Sequence, residues 1–232
     1  MRRPGWLRRD SFSVAGDKIA VAIRRLRGGG WHTGILHRSD DAPLVGSLLH
    51  LAFHYDLRNE DARTEYSWIA VTELEEELAS AVAAKCRNIW TRHEGGSGIP
   101  YGLRHTDTTF TLDGTIQIGG EDSGLTCATF VHAVFHSVGA VLLTLSSWPE
   151  GRDDDDAFLD WVVSTLREQG VDEAHVERVA AERGCARLRP TELAGAAATA
   201  PMPADFLGAR AAADLVEGWA AFIDASARWL AG

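Results

Sequence analysis

The sequence predicts an α+β protein in which an antiparallel sheet packs on helices and a helical extension follows. Strand-like segments fill the first part of the chain, a helix begins at a cysteine near the middle, and helical periodicity dominates the last third. With 232 residues, 45% of them hydrophobic, the chain is long enough to bury one sizeable core. We expect one domain at residues 1–150 and a helical extension packed on it at residues 151–232.

The strands are predicted from apolar runs separated by turn residues. They cover residues 18–26, 31–37, 45–57 and 66–71. Residues 45–57 alternate in character, so one face is apolar and the other carries His50, His54 and Asp56. Short connections between these segments favour an antiparallel meander.

The helices follow from capping signals and 3.6-residue periodicity. Thr72 begins a capping-box pattern and is expected to open a helix that runs to about Trp90. Asp113 and Gly114 form the turn of a small hairpin, and Gly139 ends the helix that begins near Thr126. Three later helices are predicted at about 154–169, 172–183 and 204–230, with an alanine- and proline-rich connector at 191–203.

Charge and composition exclude some functions. The chain carries 33 acidic and 23 basic residues, a net charge of -10, which disfavours nonspecific binding to nucleic acid or anionic membrane. The first residues lack the apolar region of a secretory leader, and no apolar run is long enough for a membrane span, so we expect neither feature. We therefore expect a cytoplasmic protein, although an effector exported without a cleaved signal would have the same composition.

The most informative residue is Cys127. A thiol in the first turn of a helix faces free backbone N–H groups and the positive end of the helix dipole, which is expected to lower its pKa. Cys86 lies inside a predicted helix and Cys185 near a helix end, so neither has this advantage. The alternative for Cys127 is a small, buried core residue. Three separated cysteines indicate neither a disulfide framework nor a zinc site.

A nucleophilic thiol needs an imidazole base, and that base needs a group that orients it. His32 begins the second strand, and Gly34 on the same face leaves room beside its ring. His50, His54 or Asp56 on the neighbouring strand can supply the orienting group. Taken singly, each histidine is equally explained as a structural residue.

This order of motifs resembles the circularly permuted papain-like cysteine hydrolases, a group that includes permuted NlpC-type peptidases and lecithin retinol acyltransferase-like proteins. The matching segments are His32-Thr33-Gly34-Ile35-Leu36, Leu48-Leu49-His50-Leu51 and Leu125-Thr126-Cys127-Ala128-Thr129-Phe130-Val131. Pro100-Tyr101-Gly102 is similar to a proline–tyrosine turn that precedes the cysteine in such enzymes. The likeness covers about residues 18–140. Thr126 stands where ordinary NlpC-type enzymes have aspartate, and the C-terminal helices have no counterpart.

The resemblance implies a papain-like domain in which Cys127 is the nucleophile, His32 the base and His50 the third catalytic residue. We assign substrate contacts to His54, Tyr101 and Thr126, and expect no metal or cofactor. The expected activity is cleavage of an amide or peptide-type bond in a peptide, a protein conjugate or an acyl substrate. Two alternatives stay open: a noncatalytic binding or regulatory module with this fold, and an acyltransferase that uses the same residues.

Overall fold

A five-stranded antiparallel sheet forms the centre of the molecule. The computed structural model describes residues 7–8, 12, 18–39, 42–61, 65–71, 73–94, 98–105 and 108–231, with only the backbone at 39, 42–45 and 221–231. The strands are β1 (Ile19–Arg25), β2 (Trp31–Ser39), β3 (Ala42–Phe53), β4 (Asp56–Asp61) and β5 (Ser67–Ala70). Their spatial order is β4-β3-β2-β1-β5. The α+β class and the antiparallel sheet are therefore confirmed. β1 to β4 form a meander, whereas β5, the fourth strand of the predicted meander, returns to pair with β1 at the other edge.

The predicted strand 45–57 is wrong at its end, because a turn interrupts it. β3 stops at Phe53 and β4 begins at Asp56, with Tyr55 at a φ of 56° between them. A residue in this left-handed region cannot continue the strand. The turn places His54 outside the strands. Asp56 begins β4 two residues before Arg58, the cross-strand partner of His50, and so stays on the face that His50 occupies.

The described residues form six α-helices. They are α1 (Glu76–His93), α2 (Cys127–His136), α3 (Asp155–Glu168), α4 (Glu173–Ala180), α5 (Pro190–Ala198) and α6 (Phe206–Ala231). A hairpin of β6 (Thr109–Phe110) and β7 (Ile116–Gln117) turns at the predicted Asp113-Gly114. Among the described residues, none of the helices is both long and apolar enough to cross a membrane.

Two helix predictions need correction. The expected connector at 191–203 contains α5, which Pro190 can begin because its fixed φ suits the first helical turn and its missing N–H has no partner there. The alanines of α5 are small enough for it to pack closely on α6 and on the sheet. Thr72 lies outside the described residues, and α1 begins only at Glu76, with Glu75 as its N-cap.

Strand alternation gives the sheet two different faces. One face packs against α1, α2 and α5 and carries apolar residues of the main core, such as Val21, Ile35 and Leu49. The opposite face carries a smaller cluster that includes Leu36 and Leu48. Residues two apart on a strand share a face, so His32, Gly34 and His50 lie on this second face.

The C-terminal helices share the main core. Leu193 of α5 and Val216 of α6 are buried together with sheet residues, so the predicted boundary at residue 150 divides one continuous core. Gly195 of α5 lies so close to the Ala209 carbonyl of α6 that an added Cβ would overlap it. α3 and α4 instead bury a separate cluster that includes Tyr101.

Candidate active site

Cys127 is the first residue of α2, and a reciprocal cap fixes this position. The Thr126 side chain accepts a hydrogen bond from the Thr129 N–H at 3.2 Å, and the Thr129 hydroxyl accepts one from the Thr126 N–H at 2.7 Å. Thr126 therefore satisfies backbone groups that a helix start leaves free. It also lines the cavity described below.

The Cys127 thiol is buried but surrounded by backbone donors. The residue is 9% exposed, and its sulfur faces the N–H groups of Thr33, Ala128 and Cys127 itself. Burial disfavours the thiolate and outweighs these donors, raising the pKa of Cys127 to about 11. The expectation that the helix start lowers this pKa is therefore wrong. At neutral pH the resting group is a thiol.

Two imidazoles are in direct contact on the neighbouring strands. His32 Nε2 lies 2.8 Å from His50 Nδ1, and the rings meet nearly edge to face. The close strand approach requires Gly34, since a Cβ there would lie 2.7 Å from the Cβ of His50. Burial lowers the pKa of His32 to about 3 and that of His50 to about 4, so both rings are neutral near pH 7.

This contact leaves the two rings in different situations. His50 Nε2 is fully buried and has no hydrogen-bond partner among the described residues. His32 Nδ1 also has no partner there, yet it is not among the fully buried polar atoms, and His32 lines a cavity. With Nε2 engaged by His50, Nδ1 is the nitrogen that His32 presents to the cavity.

Cys127 and His32 line the same cavity of about 740 Å³. β2 pairs with β3 only from Ile35 onward, so its first four residues pair with β1 alone. The sulfur approaches the end of β2 from α2 and lies near the backbone N–H of Thr33, the residue after His32. Within the described part of the chain, no hydrogen bond joins the sulfur to either imidazole.

Aromatic side chains form much of the cavity wall. Tyr101 packs against Phe53 with ring centroids 4.6 Å apart, and Trp161 lies 6.2 Å from Phe53. Trp31 and Phe158 also line the cavity. Tyr101, predicted to contact substrate, is therefore in the same cavity as Cys127 and His32.

His54 and Asp56 occupy other positions. His54 does not line the cavity; its Nδ1 accepts a hydrogen bond from the Tyr101 N–H at 3.1 Å. His175 Nε2 donates to the Tyr101 carbonyl at 2.9 Å, and its ring packs 4.7 Å from that of His54. Asp56 is paired with Arg58 at 2.9 Å. His54 thus fixes the backbone of a wall residue, and His50 is the group that contacts His32.

Sequence reasoning missed two residues near this cavity. Glu182, 2% exposed, accepts from the N–H groups of Leu103, Arg104 and Ser123, and so joins the loop that carries Tyr101 to the segment that leads into Cys127. Arg187 lines the cavity itself. Neither has a sequence signal, because charged residues in a polar segment are ordinarily solvent-exposed.

The remaining cysteines lie elsewhere. Cys86 is fully buried in α1, where burial raises its pKa, and Cys185 is half-buried with a pKa raised by burial to about 11. Within the described residues, no group of three or more His, Cys, Asp or Glu side chains is arranged to hold a metal ion.

No protein-family model matches this chain, and neither a curated protein nor a solved structure matches it.

Proposed function

We propose that this chain is a cysteine hydrolase that cleaves an amide or peptide-type bond, with Cys127 as nucleophile, His32 as base and His50 as the orienting residue. The 2.8 Å contact between His32 Nε2 and His50 Nδ1 carries the proposal, because it leaves His32 Nδ1 to the cavity that Cys127 lines. A nucleophile, a base and an orienting group are the three roles that thiol catalysis needs.

In the first step the thiol proton moves to His32 Nδ1 while the sulfur attacks the substrate carbonyl carbon. Because the resting pair is a neutral thiol and a neutral imidazole, the transfer accompanies attack rather than preceding it. The resulting imidazolium donates its Nε2–H to His50 Nδ1, which stabilises the charge. The N–H groups of Cys127 and Ala128 at the start of α2 are donors for the oxyanion.

The second half of the reaction restores the enzyme. The C–N bond breaks as His32 gives its proton to the departing amine, and a thioester on Cys127 remains. Water then attacks the thioester while His32 takes one of its protons. The C–S bond breaks, the carboxylic acid leaves, and His32 returns the proton to the sulfur.

The cavity suits a substrate with an apolar or aromatic group beside the bond that is cleaved. Phe53, Tyr101 and Trp161 offer ring surfaces for such a group. Peptides, protein conjugates and acyl substrates all fit this description. We extend the proposal to the fold: a permuted papain-like domain at 1–150, whose main core α5 and α6 complete and to whose cavity residues 151–232 contribute one side. The cytoplasmic setting stays a prediction.

One observation favours a noncatalytic module instead. Burial raises the pKa of Cys127 to about 11, as it does for a core thiol without a role in chemistry. The two functions differ in whether His32 governs the reactivity of the sulfur.

Alkylation by iodoacetamide near neutral pH tests this difference, with mass spectrometry reporting each cysteine. Cys185 is the internal reference, because burial raises its pKa to the same value, about 11, and it is the more exposed thiol. We expect Cys127 to react faster than Cys185 and His32→Gln to slow Cys127 by about 10²-fold or more. His136→Gln, an exposed position on α2, is the matched control and should change nothing. Equal rates in wild type and His32→Gln would favour the noncatalytic module.

A second measurement identifies the reaction. The protein is incubated with a mixture of peptide p-nitroanilides and acyl p-nitrophenyl esters, and the acyl group on Cys127 is sought by mass spectrometry. In ¹⁸O-labelled water a hydrolase places the label in the released acid. Transfer of the acyl group to an added amine or alcohol without label uptake would identify an acyltransferase instead.

A further inference from the structure

The cavity of Cys127 contains a guanidinium that the proposed reaction does not use. Arg187 lies in the segment between α4 and α5 and lines the cavity together with Cys127 and His32. Its side chain is 14% exposed. Burial lowers the pKa of Arg187, and the positive charge of Arg187 acts in turn to lower the pKa of Cys127. A charge this well buried normally has a dedicated partner.

Arg187 is held in place by groups that compensate its charge only in part. Its guanidinium carbon lies 3.5 Å from the centroid of the Phe158 ring. Its Nη1 donates to Asp155 Oδ1 at 3.3 Å, but Asp155 also pairs with Arg152 and Arg189 at 3.1 and 3.2 Å. Arg187 therefore shares its carboxylate with two other guanidinium groups, which pair in addition with Glu192 and Asp154.

The open side of Arg187 is the edge formed by Nε and Nη2. Neither nitrogen has a hydrogen-bond partner within the described residues, and neither is among the fully buried polar atoms. The other two arginines of the cavity already bind carboxylates. Arg189 Nη2 bonds Asp154 and Asp155, and Arg210 contacts the two oxygens of Glu217 through Nη1 and Nη2. Two adjacent N–H groups on one edge of a guanidinium can bind a carboxylate through two parallel hydrogen bonds, and the Nε–Nη2 edge of Arg187 offers such a pair.

We propose that Arg187 binds a carboxylate of the substrate next to the acyl carbon that Cys127 attacks. The preferred substrates are then anionic: peptides or acyl amides with an acidic group close to the bond that is cleaved. This assignment rests on the proposed function for the identity of the bond, but the anion site itself can be tested without turnover.

The test compares iodoacetate with iodoacetamide, which share a reactive carbon and differ in charge. The rate ratio of the two reagents at Cys127 cancels any general change in thiol reactivity. Because a charge-assisted pair of hydrogen bonds is involved, we expect this ratio to exceed that at Cys185 by about tenfold or more. Arg187→Gln should reduce it to the Cys185 value, and Arg187→Lys should keep only part of it. Arg92→Gln, an exposed position on α1 outside this cavity, is the control and should leave the ratio unchanged.

A protection experiment with a longer dicarboxylate tests the case in which the carboxylate binds farther from the sulfur than iodoacetate can reach. Glutarate should slow iodoacetamide labelling of Cys127 in wild type and not in Arg187→Gln, whereas neutral glutaramide should protect neither. Thermal melting confirms that each variant is folded. An iodoacetate ratio and a glutarate effect that are the same in wild type and Arg187→Gln would overturn the anion site.

The two proposals fail separately. If His32→Gln leaves iodoacetamide labelling of Cys127 unchanged while Arg187 still controls the iodoacetate ratio, the hydrolase is wrong and the anion site stands. If labelling depends on His32 but the ratio does not depend on Arg187, the anion site alone is wrong.

Discussion

His50 lies within β3 and His54 lies in the turn that follows it, and each ring packs against a second histidine. A comparison of the two pairs shows how the position of an imidazole determines its contacts. His50 contacts His32 ring to ring, and one nitrogen of that pair is left to the cavity. His54 and His175 instead bind the backbone of Tyr101: His54 accepts a hydrogen bond from its N–H, and His175 donates one to its carbonyl. In the proposed reaction the first pair exchanges a proton with the substrate, whereas the second pair holds a wall residue in place.

The residue types are the same in both pairs, and burial lowers the pKa of His50 and of His54 to about 4. The difference comes from the turn at Tyr55, which carries His54 out of the sheet. A lowered pKa therefore does not identify a catalytic group here; the bonding pattern around each ring does.

The largest effect is expected from removal of the proposed nucleophile. Cys127→Ala is expected to abolish acyl-enzyme formation while changing the unfolding free energy by less than about 1 kcal/mol, since only a small group is lost. Phe130→Ala, one turn along the same helix, should cost about 3–5 kcal/mol because its ring is fully buried in the main core. Denaturant unfolding monitored by circular dichroism gives both values. If Cys127→Ala failed to fold, the thiol would be a core residue.

The next largest effect is expected from a substitution in the pair formed by His32 and His50. His50→Asn removes the ring that orients His32, and we expect the alkylation rate of Cys127 to fall by about tenfold, the effect of losing one hydrogen bond in a buried site. The loss should be smaller than in His32→Gln, because the base itself remains. A rate equal to wild type would show that His50 has no part in orienting His32.

Breaking the second pair should affect stability more than chemistry. His54→Ala loses the acceptor for the Tyr101 N–H, and a backbone donor left without a partner costs about 1–3 kcal/mol. Labelling of Cys127 by iodoacetamide should stay within about twofold of wild type, a change smaller than a single hydrogen bond would cause. A loss of labelling as large as that of His50→Asn would erase the distinction between the pairs.

Acid should unfold the protein through both pairs. Burial lowers the pKa of His32 to about 3 and of His50 and His54 to about 4, against 6.5 in the unfolded chain. In the window between these values the unfolded chain binds more protons, so the stability from neutral burial is complete above pH 6.5 and is lost as the pH falls toward 3 to 4.

The slope of the unfolding free energy against pH measures this loss. His50→Asn should reduce the slope near pH 5 by up to about one proton, or about 1.4 kcal/mol per pH unit. His54→Ala should reduce it less, because that ring is partly exposed. Chemical denaturation at several pH values gives the slopes, and a slope unchanged in both variants would contradict the assignment of neutral buried rings.

Much of the fold around the candidate site can be predicted from the sequence, because helix capping, strand alternation and turn chemistry depend on neighbouring residues. Thr126 and Thr129 predict where α2 begins, and alternation along β3 predicts that His50 shares a face with His32 once the strands pair. The hairpin at Asp113-Gly114 follows from turn chemistry alone.

What could not be predicted depends on tertiary packing. The pKa of Cys127 is set by how completely the rest of the chain covers the sulfur, which a helix position does not reveal. Glu182 and Arg187 become significant only when loops distant in sequence meet around them. The residues on both sides of Tyr55 alternate in polarity as they would in one continuous strand, but the chain turns at Tyr55.

The contact between Gly195 and the Ala209 carbonyl has a consequence for anyone who compares variants of this chain. Even a methyl group at residue 195 would force α5 and α6 apart, and α5 lies directly on the sheet. A mutational scan will therefore mark Gly195 as intolerant although it touches no reacting atom. Intolerance to substitution at Gly195 reflects the close packing of α5 on α6, and it is not evidence for a catalytic role of this residue.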